Sequence, residues 1–371
     1  MRAPDRVPVE PALVARFRKD FERVRPLGST ERLALAVSVS GGPDSMALLA
    51  LAAAAFPGRI IAATVDHRLR VAAADEARMV AEWCAAQGIA HATLVVDDAI
   101  GSRAVQGRAR DRRYALLRDW AAAAGATCLA TAHHADDQAE TFLMRAARGA
   151  GVAGLGGIRA HQQLGAIALI RPLLGWRVAE LRALAVTHAL PFVDDPSNVD
   201  PHYERTRFRA LLRDTPWLDP LQIARAAAHA AEADATIRGM EDWLWQTRRS
   251  PTPNRHPGLV PGTTAVHEQH PHDVRHGGCR DAPGMTGEGG VVIDLDVADL
   301  PRELKRRLAR RAIHAVRAAH ALTTPAFTDS ANIEPLLDAL EAGKTATHAG
   351  ILVAVRDTLW NFAPQPPRHS H

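Results

Sequence analysis

Cysteine is nearly absent from the 371-residue chain. Cys84, Cys128 and Cys279 are scattered and form no CxxC pair, which excludes a disulfide framework and a paired-cysteine metal or iron–sulfur site. Long apolar runs are missing too. The longest, Met46–Phe56, falls far short of the ~20 residues that span a bilayer, so no membrane partner is expected. The first residues, MRAPDRVPVEP, hold neither an apolar core nor a small-residue cleavage site, and a reduced, cytoplasmic setting is the expectation. Net charge is only +4, which allows a polyanionic partner without requiring one. With 47% hydrophobic and 23% charged residues, wholesale disorder is excluded.

What is present is an alternation of short apolar runs with amphipathic stretches. Leu33–Val39, Ile60–Val65, Thr93–Val96, Thr127–Ala132 and Ala166–Ile170 read as buried strands. Asp44–Ala55, Asp75–Gln87, Val105–Ala124 and Asp136–Arg148 read as helices. Strands joined by helices of this length imply an α/β domain with a doubly wound parallel sheet, whose ligands sit at the carboxyl ends of the strands. The expected segments are a helical extension over 1–30, a catalytic α/β domain over 31–215 and a helical linker over 216–248. A disordered insertion over 249–290 and a small α+β domain over 291–371 follow. In the linker, Leu221–Gln246 is Ala-rich and ends in a Trp243–Trp245 pair expected to pack on the next domain. The insertion gathers Pro, Gly and His without apolar period, and its His and Cys279 lack zinc-ligand spacing. Arg302–Ala319 and Ile333–Glu341 are expected helices, and Gly350–Trp360 a hairpin.

The strongest local signal is Ser40-Gly41-Gly42-Pro43-Asp44-Ser45, between the first strand and its helix. Two glycines let several N–H donors approach phosphate oxygens, and the helix adds its free N–H groups and positive dipole end. Asp44 would repel a phosphate unless Mg²⁺ lies between them. The lysine of GxxxxGK[ST] is missing, so this is no Walker loop. It resembles the SGGxDS pyrophosphate loop of the N-type ATP pyrophosphatases (PP-loop proteins), which cleave ATP to AMP and pyrophosphate.

Beyond the fourth strand, Ala132-His133-His134-Ala135-Asp136-Asp137-Gln138-Ala139-Glu140-Thr141 places His133, Asp137, Glu140 and Thr141 at spacings of one helix face. Carboxylates gathered beside Asp44 are unfavourable unless a cation arrives, and Mg²⁺ or a lysine ammonium fits. With Val65-Asp66-His67-Arg68-Leu69-Arg70, RARDRRYALL and DDPSNVDPHYERTRFRALL in the same order, these motifs resemble the tRNA(Ile)-lysidine synthetase family.

That resemblance implies a ligase. It implies use of ATP to adenylate the C2 oxygen of the wobble cytidine in a CAU-anticodon isoleucine tRNA, followed by attack of the ε-amine of L-lysine. ATP would lie on Ser40, Gly41, Gly42, Pro43, Asp44 and Ser45, bordered by Asp66 and His67, with Asp44 a Mg²⁺ ligand. Asp44, His133, Asp137 and Glu140 would be catalytic, with Asp136, Asp137 and Glu140 holding lysine or metal. Arg110, Arg113, Arg205, Arg207 and Arg209 would contact tRNA or phosphate, although Thr206 stands where the family has asparagine. The 291–371 domain is a further candidate for tRNA contact, and the motifs of the family's additional terminal domain are not matched. Oligomeric state stays open, a homodimer being one option. A tRNA 2-thiolation enzyme would need the missing CxxC pairs. A binding-only module would be expected to have lost the acids or the loop.

Overall fold

The computed structural model describes residues 8–26, 34–66, 72–96, 105–194, 204–253, 291–329 and 331–366. The chain divides into two compact units, Met1–Asp234 and Ala235–His371.

In the first unit the elements run α1 (Pro11–Val24), β1 (Leu35–Ser38), α2 (Pro43–Ala55), β2 (Ile60–Asp66), α3 (Ala72–Ala86), β3 (Ala90–Val95), α4 (Val105–Ala123) and β4 (Cys128–Ala130). They continue through α5 (Ala135–Ala147), α6 (Val152–Leu155), β5 (His161–Leu164), β6 (Ile167–Ile170), α7 (Val178–Thr187) and α8 (Glu204–Asp214) to α9 (Pro220–Thr247), within which the division falls. The six-stranded sheet has the order β3-β2-β1-β4-β6-β5. Neighbours pair in parallel except β5, which runs antiparallel to β6. The expected parallel sheet therefore carries an antiparallel edge. HQQL has no apolar run to announce that strand, and a turn at Gly165 brings it back beside β6.

Strand alternation sorts the core onto two faces. Leu35, Val37 and Val39 join the buried α2, α3 and α7 residues Leu48, Leu51, Val80, Trp83, Leu181 and Leu184 on one side. Ala36, Ala63, Leu129 and Leu169 meet Leu117 and Ala121 of α4 on the other. Helix α2 is buried almost all round, which is why MALLALAAAAF has no polar face. N-terminal α1 covers its outer end, with Phe17 and Phe21 against Phe56.

The second unit continues with β7 (Arg249–Pro253), β8 (Val291–Asp296), α10 (Arg302–Ala319), α11 (Glu334–Glu341), β9 (Ala346–His348), β10 (Ile351–Arg356) and β11 (Leu359–Pro364). Its sheet, order β7-β8-β11-β10-β9, is antiparallel throughout. Leu304, Leu308, Ile313 and Val316 of α10 pack on Ile293, Leu295, Val353, Trp360 and Phe362. The insertion expected from residue 249 is corrected at its start. Arg249–Pro253 pairs with β8 in register, because the ladder supplies order that its Ser- and Pro-rich sequence does not advertise. The rest of that segment lies outside the described residues. The Trp pair splits: Trp245 is buried in this core between the guanidinia of Arg249 and Arg311, whereas Trp243 is exposed.

Candidate active site

The strand order reverses direction at β1. From β1 the chain steps to β2 and β3 on one side, then returns to place β4 on the other. A crevice opens at such a switch point, beyond the carboxyl ends of β1 and β4. Those two ends carry the glycine loop and the His-Asp block.

In the loop, Gly41 adopts φ +84°, a left-handed conformation that a side chain would strain. Gly42 is the N-cap of α2, and Pro43 fills the first helical position, where no N–H is needed. The Ser45 hydroxyl donates to Gly42 O at 2.9 Å and accepts from Ser40 N–H at 3.1 Å, closing the loop. Helix geometry leaves the N–H groups of Asp44 and Ser45 without intrahelical acceptors, facing the crevice side of the helix end. Asp66 ends β2, next to β1 in the sheet. His67 lies outside the described residues.

Across the crevice, α5 begins at Ala135, two residues after His133, so the one-face spacing does not reach back to that histidine. His133 therefore stands before the helix, its Nδ1 3.0 Å from Thr131 Oγ1. The residue brought to the centre is His134, which is not among the expected site residues. It caps α5, accepting from Asp137 N–H at 3.3 Å while its own N–H donates to the Asp137 carboxylate at 3.2 Å. Its Nε2 lies 3.4 Å from Asp137 and 3.5 Å from Asp44, and its Nδ1 3.7 Å from Asp136. Burial works to lower the imidazole pKa, but Asp137, Asp44 and Asp136 outweigh it and raise it to about 9. A charged ring gives up the weak Nδ1 cap contact. Three carboxylates within 3.7 Å make that exchange favourable. The signal that could have found His134 is the N-cap position itself, three residues before Asp137.

Asp136 is turned away from the expected lysine- or metal-holding set. Its carboxylate accepts from Arg177 Nε at 3.1 and 3.2 Å and from Val178 N–H at 2.8 Å, anchoring the first turn of α7. An anion at a helix N-terminus is favourable there. Glu140, 1% exposed, takes Arg209 Nε at 2.9 Å and Arg205 Nε at 3.4 Å. Burial pushes its carboxyl pKa up, and the two guanidinia oppose that. Arg205 also donates to Thr141 Oγ1 at 3.2 Å. Arg207, two residues off that face of α8, is exposed. Arg113, half-buried on α4, lies over the Tyr114 ring, and Arg110 shares that helix. The structure thus groups Asp44, Asp137, Glu140, Arg205 and Arg209 near His134 and α5; Asp136, although 3.7 Å from His134, has its carboxylate committed to Arg177 and the start of α7, and Arg207 is exposed.

Asp44 Oδ1 is buried and accepts no hydrogen bond from the described residues. An orphaned carboxylate oxygen beside a phosphate cradle fits Mg²⁺, which keeps waters and phosphate ligands and needs only one or two carboxylates. No group of three His, Cys, Asp or Glu able to hold a metal occurs among the described residues, so a cage built from protein alone is not offered.

The basic helix α10 is not a free cationic face. Arg302 pairs with Glu334, Asp338 and Glu341, Arg306 with Glu334 and Glu303, Arg307 with Glu303, and Arg311 with Asp242. Among the described residues no helix is long and apolar enough to cross a membrane.

Residues 14–215 match the PP-loop domain family, so fold and loop together define an ATP-binding PP-loop protein. Curated relatives narrow the class. A tRNA(Ile)-lysidine synthase of Novosphingobium aromaticivorans is 41% identical over 96% of this chain and 95% of its own. Those of Zymomonas mobilis and a Bradyrhizobium species (strain BTAi1) are 37% and 35% identical, each over 90% of this chain and over 89% and 90% of their own. The chain belongs to the tRNA(Ile)-lysidine synthase family.

Proposed function

We propose that the protein forms lysidine in tRNA(Ile), using ATP to activate the wobble cytidine of a CAU anticodon and L-lysine as nucleophile. The observation that carries the reading is the meeting, at one switch point, of a phosphate cradle (Ser40–Ser45) with an acid set of half-buried Asp44 and Asp137 and buried Glu140. Cytosine C2 carries an oxygen that cannot leave as it stands. Transfer of AMP to that oxygen, with release of pyrophosphate, makes it a leaving group, and attack by the lysine amine then expels AMP.

The chain's own residues have defined tasks in this scheme. Backbone N–H groups of the glycine loop hold the pyrophosphate portion and fix its orientation. Asp44 and, across the crevice, Asp137 would hold Mg²⁺, which supplies charge neutralisation at the phosphates. His134 keeps these two carboxylates together before substrate arrives. Asp137 and Glu140 offer anionic oxygens to lysine, and a carboxylate near the ε-ammonium can take the proton that the amine must lose before attack. Arg205 and Arg209 hold Glu140 in place and supply cations to a nucleic-acid phosphate. Arg110, Arg113 and Arg207 are proposed tRNA contacts on the same reasoning, and Asp66 and His67 border the nucleotide.

The test is release of pyrophosphate from ATP in the presence of the CAU-anticodon tRNA(Ile) transcript. Stimulation by the transcript that disappears in Asp44→Ala supports the scheme. Equal release without tRNA, or undiminished release in the variant, contradicts it.

A further inference from the structure

A short strap crosses the back of the glycine loop. Residues Phe192, Val193 and Asp194 follow α7, and Val193 N–H donates to Gly41 O at 3.0 Å. The Val193 carbonyl lies so near Gly42 that a Cβ added there would stand 3.9 Å from it. Phe192 packs on the main core of the first unit. Asp194 takes a two-toothed fork from Arg182 of α7, with contacts of 2.7 and 2.8 Å, and the same guanidinium lies 5.4 Å from the Phe192 ring. Helix α7 is itself fixed at its first turn by Asp136 and along its length by buried Leu181, Leu184 and Ala185.

The consequence lies in one peptide plane. In a trans peptide the C=O and the following N–H point to opposite sides. With the Gly41 carbonyl pinned to the strap, the Gly42 N–H is directed away from the strap. A Gly41–Gly42 peptide free to rotate would spend part of its time presenting a carbonyl oxygen where a donor is needed. A positive-φ glycine has unusual freedom to make that flip.

We propose that Arg182 and Asp194 are positioning residues for nucleotide binding, acting through the Val193–Gly41 hydrogen bond to hold the Gly42 N–H toward the pyrophosphate of ATP. This rests on the reading of Ser40–Ser45 as the ATP cradle. Neither residue touches substrate in this account. Helix α7 serves as a brace with two anchor points, one on the acid helix through Asp136 and one on the loop through Asp194.

The experiment compares Arg182→Ala, Asp194→Ala and the exchanged pair Arg182→Asp/Asp194→Arg in the full chain. Equilibrium ATP binding is followed by calorimetry, together with steady-state KM values for ATP and lysine and the melting temperature. Both side chains are substantially exposed, and exposed pairs are worth little, so each single variant is expected to weaken ATP binding and raise its KM only about three- to fivefold. The exchanged pair should recover most of that loss. The KM for lysine and the melting temperature should stay near wild type. Unchanged ATP binding in both single variants overturns the proposal while leaving the cradle reading intact. A fall in melting temperature together with a parallel rise in the lysine KM assigns the pair a merely structural role and overturns it as well. A wild-type protein that fails to bind ATP overturns the cradle reading and this proposal with it.

Discussion

Replacing Gly157 by alanine tests how the acid helix is held. A Cβ at this position would lie 2.4 Å from Gln138 Oε1 and 2.8 Å from its Cδ, and the backbone sits at φ +61°. Gln138 cannot simply swing aside. It is 4% exposed on α5 between Asp137 and Ala139, its Oε1 accepts from Ile158 N–H at 2.6 Å, and its Nε2 donates to Ile158 O at 3.2 Å. Left-handed strain on alanine costs about 1 kcal/mol. Breaking the two amide contacts costs about 1 kcal/mol each. A loss of about 3 kcal/mol lowers Tm by roughly 6–12 °C for a unit of this size. Gly175→Ala is the control, since nothing lies within 4 Å of its added Cβ. Thermal unfolding followed by circular dichroism reads both variants. Equal melting temperatures for the two would refute the claim that the Gly157–Gln138 contact fixes α5.

Two further substitutions separate binding from support. Asp136→Ala should lower stability by about 1–3 kcal/mol through lost contacts to Arg177 and Val178, visible in Tm, whereas Asp137→Asn should depress turnover with little change in Tm. In the second unit, Arg306 and Arg302 hold the Glu334 carboxyl at about 2, below its unfolded value. That contribution to stability is present above roughly pH 4.3 and disappears as pH falls toward 2. Glu334→Gln should therefore flatten the acid side of the stability profile, and an unchanged profile would count against the pairing.

Much of this was legible in the sequence where signals are local. Helix α10 matches its expected span because its apolar residues repeat every three to four positions over eighteen residues. The loop and α2 were legible because glycines, proline and a fully apolar helix occur together. What escaped is what depends on distant partners. In sequence, Arg302–Arg311 shows chiefly its basic residues, and acids that pair with them stand on α11, some thirty residues later. Asp136 reads as one of the acids that would hold lysine or metal until Arg177, 41 positions on, takes its carboxylate. The assignment of His133 to the helix face failed for a local reason. Helical periodicity was carried past the N-cap, where the backbone at His134 is extended and the phase is lost. Strand β5 has no periodicity to detect, because only pairing with β6 makes it a strand.

Lysidine formation by this protein is read out by incubating it with radiolabelled L-lysine, ATP, Mg²⁺ and a CAU-anticodon tRNA(Ile) transcript. A transcript with uridine at the wobble position serves as the comparison. Lysidine formation predicts label in the first RNA and none in the second. Label in neither, from protein that binds ATP and RNA, would contradict it.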